Sequence, residues 1–352
     1  MEEEKKELEV QEELEEQKPE EQPQEETKEE APQAESQENV DTLSPGAQPI
    51  EKLEDERPYQ EIIESARLDF VKVYNKSRRV SYIMMAVVML VAIGSVILIT
   101  RPEFYFKVIG WSLIGAAVIG MLVFYIVTKN RLPGQTQDYI KLINRTLNAH
   151  NYIDKDVKES ATDEKEKLEL AELIVDGVYK DLGNVASRNV IHGKYLNKSF
   201  VAADLGLYNN QQGRKRLSVF VGKYIFMPNS LHFTDHFIVN IKKTEEPVDL
   251  PTDIENLAVL VEEENFVIYG PKDADYKKVF GSKLIPALRK IELNDILLNV
   301  NFVFWAGHST AYLSYTDEIM TLPFQSPFNS TANDKYRKDL YDVLAAFESI
   351  NK

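Results

Sequence analysis

Cysteine is absent, which excludes disulfides, thiolate metal sites and a cysteine nucleophile, and suits a reducing compartment. The chain also lacks the glycine loops that cradle phosphates. It has no Gly-x-x-x-x-Gly-Lys, no Gly-x-Gly-x-x-Gly after a strand and no Gly-x-Ser-x-Gly elbow, so nucleotide and acyl-transfer chemistry have no support. A basic excess is missing too. The net charge of −16 sits in residues 1–57, which hold 22 acidic and 6 basic side chains, leaving 35 of each sign in the remaining 295 residues. A nucleic-acid-binding domain would carry positive charge, so nucleic acid is not an expected partner. No apolar run occurs before residue 80. A cleaved signal peptide is therefore not visible, and the first apolar run is expected to act as an uncleaved membrane signal.

Long uncharged runs are present, and they organise the chain. Ser81 to Thr100 and Val108 to Thr128 contain 20 and 21 residues without a charge. Helices of that length, at ~1.5 Å per residue, match the ~30 Å core of a bilayer. Pro102 separates them, so residues 81–128 read as a transmembrane hairpin. Arg67, Lys72, Lys76, Arg78, Arg79, Lys129, Arg131, Lys141 and Arg145 flank the spans, against Arg101 and Lys107 in the connecting loop. This bias places both termini in the cytoplasm of a two-span cell-membrane protein. Tyr82, Phe104, Tyr105, Phe106, Trp111, Phe124 and Tyr125 stand near the span ends, at headgroup level. Neither span holds an ionisable Asp, Glu, Lys, Arg or His, which argues against a transporter or pump. Ser112, Ala116 and Gly120 form a small-residue stripe, read as the contact between the two spans, with homo-oligomerisation as its lesser use.

Around this hairpin the chain divides into segments. Residues 1–57, rich in Glu, Gln and Pro and without an aromatic, read as a disordered acidic tail, more a solvated spacer than an arm for a basic partner. Residues 58–80 form an amphipathic juxtamembrane helix, with Ile62, Ala66, Phe70 and Val73 or Tyr74 on one side, expected to continue into the first span. Two placements are open to it, on the membrane surface or against the soluble domain. Residues 129–182 read as a helical linker. Pro133-Gly134 is expected to break the helix, Gln135 to Ala149 to restart it, and Ser160-Ala161-Thr162-Asp163 to cap a further helix ending at Gly177.

Residues 183–352 read as a cytoplasmic, mostly antiparallel α+β domain. Strands are expected over Val190–Tyr208, Leu217–Met227, Phe237–Lys242, Leu257–Val261, Phe266–Tyr269, Ile296–Trp305 and Ala311–Tyr315, with a broken helical patch over 275–292. A helix from about Asn333 to Ser349 should cap the open face of the sheet with Tyr336, Leu340, Val343, Leu344 and Phe347.

Candidate chemistry is sparse. His232 and His236 stand four apart but read as a turn entering a strand, with no third ligand, so no metal site is assigned, and His150, His192 and His308 read as isolated structural residues. No catalytic residue and no cofactor are assigned. Lys76, Arg78 and Arg79 beside the first span, and Arg214, Lys215 and Arg216 in a hairpin turn, are the candidates for contact with anionic lipid.

The chain resembles a bacterial family known as domain of unknown function family 3137. The resemblance rests on the two-span architecture, on Tyr195-Leu196-Asn197-Lys198, on Gly213-Arg214-Lys215-Arg216 followed by Phe220 to Phe226, on Asn256-Leu257 and on Ile285-Pro286-Ala287-Leu288, and it covers about residues 59–350. It implies a two-span membrane protein with a cytoplasmic α+β domain and brings no activity or cofactor. The expected function is a non-enzymatic, membrane-anchored binding or scaffold protein, with the bilayer and a protein of unknown identity as partners. The alternatives are a lipid-headgroup-sensing domain resembling the pleckstrin-homology fold and, third, a membrane-bound enzyme.

Overall fold

Two helices carry the apolar runs straight into the domain they support. In the computed structural model, which describes residues 47–53, 55–163, 165–209, 217–230, 235–242, 257–316, 319, 324 and 326–350, α1 spans Tyr59–Ile99 and α2 spans Phe104–Asn151. Both are long and apolar enough to cross a membrane. Pro58 precedes the first turn of α1, where a missing N–H costs nothing. The expected break at Pro133-Gly134 does not occur, since α2 runs through it. A mid-helix proline removes one hydrogen bond and costs ~3 kcal/mol. That local cost is outweighed because both ends of α2 are held separately, by α1 near Gly110 and by the domain beyond Tyr139.

The helices meet along Ser81, Met84, Val88, Val91, Ser95 and Leu98 of α1 and Gly110, Ile114, Ala117 and Phe124 of α2. A Cβ on Gly110 would lie 2.6 Å from Ile99 Cγ1 and 2.9 Å from the Ser95 carbonyl oxygen. Ser112, Ala116 and Gly120 are exposed instead, which corrects the expectation that they join the spans. Ser112 lies two positions, or about 200°, round the helix from Gly110, so the two faces point apart.

Ten antiparallel strands form one sheet: β1 (Gln48–Pro49), β2 (Val157–Asp163), β3 (Leu182–Tyr195), β4 (Lys198–Asn209), β5 (Ser218–Pro228), β6 (Phe237–Ile241), β7 (Leu257–Glu262), β8 (Phe266–Pro271), β9 (Leu297–Trp305) and β10 (His308–Tyr315). Their order is β1-β2-β3-β4-β5-β10-β9-β6-β8-β7. The run expected as one strand over 190–208 is a hairpin. Leu196 and Asn197 take φ of 48° and 71°, the paired left-handed conformation of a two-residue turn. Ser160 to Asp163 lies in β2 and caps no helix. The local signal was real but serves a turn, because the Asp163 carboxylate accepts from the backbone N–H of Lys165 (2.8 Å) and Glu166 (3.1 Å). The helix that follows, α3, is only Leu170–Val175, and Gly177 ends it at φ 66°.

Alternation along the strands gives the sheet two different faces. One packs Phe200, Ile225, Phe237, Phe266, Phe302 and Phe304 under α4 (Tyr276–Phe280), α5 (Leu284–Leu288) and α6 (Ser330–Ile350), whose Tyr336, Leu340, Val343, Leu344 and Phe347 are buried as expected. The other packs Leu205, Leu207, Phe220, Tyr224, Val303 and Tyr312 against Leu173, Val178 and Tyr179. A third cluster joins the helical stalk to the domain through Tyr59, Ile63 and Phe70 of α1, Tyr139 and Ile143 of α2, and Phe324 and Phe328. Of the two placements open to residues 58–80, packing on the domain is the one seen for the stretch from Tyr59 to Phe70.

The acidic segment also ends earlier than expected. Gln48 and Pro49 pair with Thr162 and Ala161, Ile50 reaches the main core, and Leu53 joins the stalk cluster. Residues 1–46 lie outside the described residues. Deleting residues 1–57 should thus lower the melting temperature by several degrees, since ~1 kcal/mol corresponds to about 2–4 °C in a domain of this size. An unchanged melting temperature would show that Ile50 and Leu53 contribute nothing. The helix contact has its own test: Gly110→Ala should destabilise the detergent-solubilised protein by about 1–3 kcal/mol through overpacking. Gly120→Ala, with nothing within 4 Å of the added Cβ, should stay within about 0.5 kcal/mol.

Candidate ligand-binding cleft

Register places the polar groups of the second face. Trp305 pairs with His308 and Asn301 with Tyr312 across the β9–β10 hairpin, so Trp305, His308 and Tyr312 project on the same side. There α3 crosses them and delivers Asp176 at its C-terminal end. Asp176 is 2% exposed. Its carboxylate accepts from Trp305 Nε1–H (3.0 Å) and from the Tyr312 hydroxyl (2.7 Å). Burial pushes the carboxyl above the usual range, opposed by these donors, by the Thr310 hydroxyl and by nearby His308. Burial likewise drives the Tyr312 hydroxyl well up, so it stays a donor at neutral pH.

The indole of Trp305 lies between two imidazoles. His308 stacks on it at 4.2 Å and 4°, and His236 at 5.3 Å and 15°. His236 Nε2 sits 2.9 Å from the Val175 carbonyl and so donates to the last turn of α3, satisfying an orphan acceptor there. Asn229 donates to the His308 carbonyl (2.6 Å) and to Ser309 Oγ (2.9 Å), which fixes the hairpin turn. Between α3 and the sheet lies a cleft of about 460 Å³. Its sheet side is Val201, Tyr224, Phe226, Trp305 and His308, its helix side Leu168, Ala171 and Val175, and Glu166 and Asp176 supply the carboxylates. Glu166 Oε2 lies 2.6 Å from His192 Nε2. The cleft is mostly apolar with a few convergent polar groups, the usual make-up of a small-molecule site, and its volume is in the usual range.

The sequence-based candidates lie elsewhere. Lys76, Arg78 and Arg79 are exposed on α1, where Arg78 Nε donates to the Tyr82 hydroxyl at 3.0 Å. Arg214, Lys215, Arg216 and His232 lie outside the described residues, and Ser112, Ala116 and Gly120 sit on the outer side of α2. His150 stacks on Tyr59 at 3.7 Å and lies 3.0 Å from Asp334 Oδ1 at the stalk junction. Among the described residues no three His, Asp or Glu side chains are grouped to hold a metal ion. Asp176, Trp305 and Tyr312 were not singled out from the sequence. The signals available were an aspartate followed by glycine at the end of an apolar helix, and a tryptophan next to the turn of a hairpin, which become a site only when paired.

No protein-family model and no curated protein matches the chain. A solved structure similar to it is that of the mycobacterial trehalose monomycolate transport factor A, TtfA, at 10% identity and a TM-score of 0.27, covering 47% of this chain and 76% of that one. A likeness of that degree carries no functional argument.

The Asp176 network predicts a pH-dependent cost. Tyr312→Phe removes a donor to a buried carboxylate and should destabilise the domain by about 1.5–3 kcal/mol at neutral pH. The hydroxyl favours the charged form, so its loss raises the folded pKa of Asp176 further. The deficit should therefore shrink as pH falls and the carboxyl takes up its proton. Denaturant midpoints across the acid range check this, and a pH-independent deficit would show that Asp176 is not charged in the native state.

Proposed function

We propose that the protein is a non-enzymatic binding or scaffold protein, anchored in the cell membrane by residues 81–128 with both termini cytoplasmic. It holds its α+β domain at the inner face on a helical stalk. The observation that carries this reading is that each apolar helix continues without a break into the packed base of the domain, through Phe70 stacked on Tyr139 at 4.5 Å. Tyr59 to Phe70 of α1 pack in the base of the domain, so the stretch from Phe70 to Val80 provides a stalk of roughly 15 Å. A rigid mount of this kind suits a module that presents a site at a set height above a bilayer. The cleft supplies such a site, and its polar groups are engaged with one another in the manner of a recognition surface.

Lipid-headgroup sensing by the domain is less well supported. The sheet is a single ten-stranded one in linear order, unlike the compact closed sandwich of a pleckstrin-homology fold. Lys76, Arg78 and Arg79 remain suited to anionic headgroups as part of the anchor. The exposed Ser112, Ala116 and Gly120 stripe favours a second copy of α2 as a membrane partner. The resemblance to domain of unknown function family 3137 accords with this architecture and adds no activity.

Two measurements test the reading. Reporter fusions at Met1 and Lys352 should both give cytoplasmic signals, and an external signal from either end would overturn the anchor. Crosslinking from intact membranes should then trap a specific protein on the wild-type chain. Turnover of a substrate by the purified protein would replace binding with catalysis.

A further inference from the structure

Asp176 faces the cleft without a lysine or arginine partner among the described residues. Its hydrogen bonds come from neutral donors, Trp305 and Tyr312, with the Thr310 hydroxyl a third neutral group acting on it and His308 the imidazole nearby. An ionised carboxylate has about four acceptor sites, so at least one remains. A buried charge left without compensation is destabilising, and a bound cation would relieve that. The lining itself points the same way. Glu166, which also meets His192, adds a second carboxylate, no Lys or Arg among the described residues lines the cleft, and Leu168, Val175 and Phe226 offer an apolar wall. An anionic ligand would meet two carboxylates, and a neutral apolar ligand would leave Asp176 uncompensated.

We propose that the cleft binds a small organic cation, a protonated amine on an apolar body, whose ammonium group donates to Asp176 while the body lies against Leu168, Val175 and Phe226. This rests on the reading of the cleft as the binding site. The volume, about 460 Å³, suits a small molecule.

The full chain, held in nanodiscs, provides its own reporter. Tryptophan occurs twice, at Trp111 and Trp305, so Trp111→Phe leaves the cleft indole as the single fluorophore. Three probes of similar shape are compared: 2-phenylethylamine, 2-phenylethanol and 3-phenylpropanoate. The amine should change Trp305 emission saturably and bind roughly tenfold or more tighter than the other two, as expected for a hydrogen bond to a charged group. Asp176→Asn should lose that preference and keep the weak binding of the alcohol. Equal affinity for all three, or tightest binding of the carboxylate, overturns the cation inference and leaves the cleft as a binding site of other preference. No response to any probe overturns the cleft reading together with the inference. Because the three-probe comparison uses the unaltered cleft, it decides the matter even if Asp176→Asn fails to fold.

Discussion

The structure depends on how the second long helix is locked where it ends. Over its last turn and C-cap, α2 presents Asn148 to β3 and both Asn151 and Tyr152 to α6. Asn148 exchanges amide hydrogen bonds with Asn189 of β3 (2.9 and 3.1 Å), Asn151 does the same with Asn333 of α6 (3.0 and 3.1 Å), and the Tyr152 hydroxyl meets that of Tyr336 at 2.5 Å. Each reciprocal amide pair satisfies buried donors and acceptors that would otherwise cost about 1–3 kcal/mol apiece. Such pairing tolerates little displacement, because a slip along the helix would leave both partners unsatisfied. The lock therefore sets the height of the domain on its stalk. Arg337, which reaches Asp154 at 3.0 Å, extends it along α6.

From that lock the two faces of the sheet acquire different tasks. The face beneath α6 is dense and closed. Its polar content is paired internally: Lys223 bonds Asp204 and lies 4.8 Å over the Tyr336 ring, and the Tyr315 hydroxyl donates to Asp339 at 3.1 Å. Burial pushes the Asp339 carboxyl up to about 6. Among the described residues the opposite face is covered by the short α3 and the segment after it, and the cleft lies between α3 and the sheet. A six-residue helix cannot cover a sheet that a 21-residue helix covers on the other side. What it does provide is a C-terminal end, and that end delivers Asp176 and gives His236 a carbonyl to bond.

How much of this was legible in the sequence follows from the range of the interactions. The uncharged runs, the α6 stripe and most strand positions are periodic signals within one segment, and they emerged where the pattern indicates. Two kinds of signal misled. Pro133 and the Ser160–Asp163 pattern are local cues that tertiary packing overrode, the first by holding the helix on both sides and the second by pairing the segment with β3. The small-residue stripe misled differently. Two such faces lie on α2, one through Gly110 and one through Ser112, and the choice between them belongs to α1, whose Ser95 carbonyl would lie 2.9 Å from a Cβ on Gly110, while one on Gly120 would meet nothing within 4 Å. The cleft was illegible because its lining comes from separate places along the chain, Glu166 and Leu168 before α3, Asp176 after it, Val201 on β4, Tyr224 and Phe226 on β5, Trp305 on β9 and His308 on β10. Only strand register brings them together.

The position of the cleft bears on what can regulate it. His236 ties the end of α3 to the indole, and Asp176 ties the same end to the β9–β10 hairpin, so α3 is held at its C-terminal end while its N-terminal approach depends on Leu168, whose backbone N–H donates to Ser187 Oγ at 2.9 Å, and on Glu166 with His192. Of these contacts the Tyr312–Asp176 bond is the buried one; the His236–Val175 bond is exposed, and those of Trp305, Leu168 and Glu166 are partly buried. Opening energies follow burial and hydrogen-bond exposure. The bond between Asp176 and Tyr312 is therefore the firmest hold that the sheet has on α3, and the margins of the helix on either side of it are the parts free to yield.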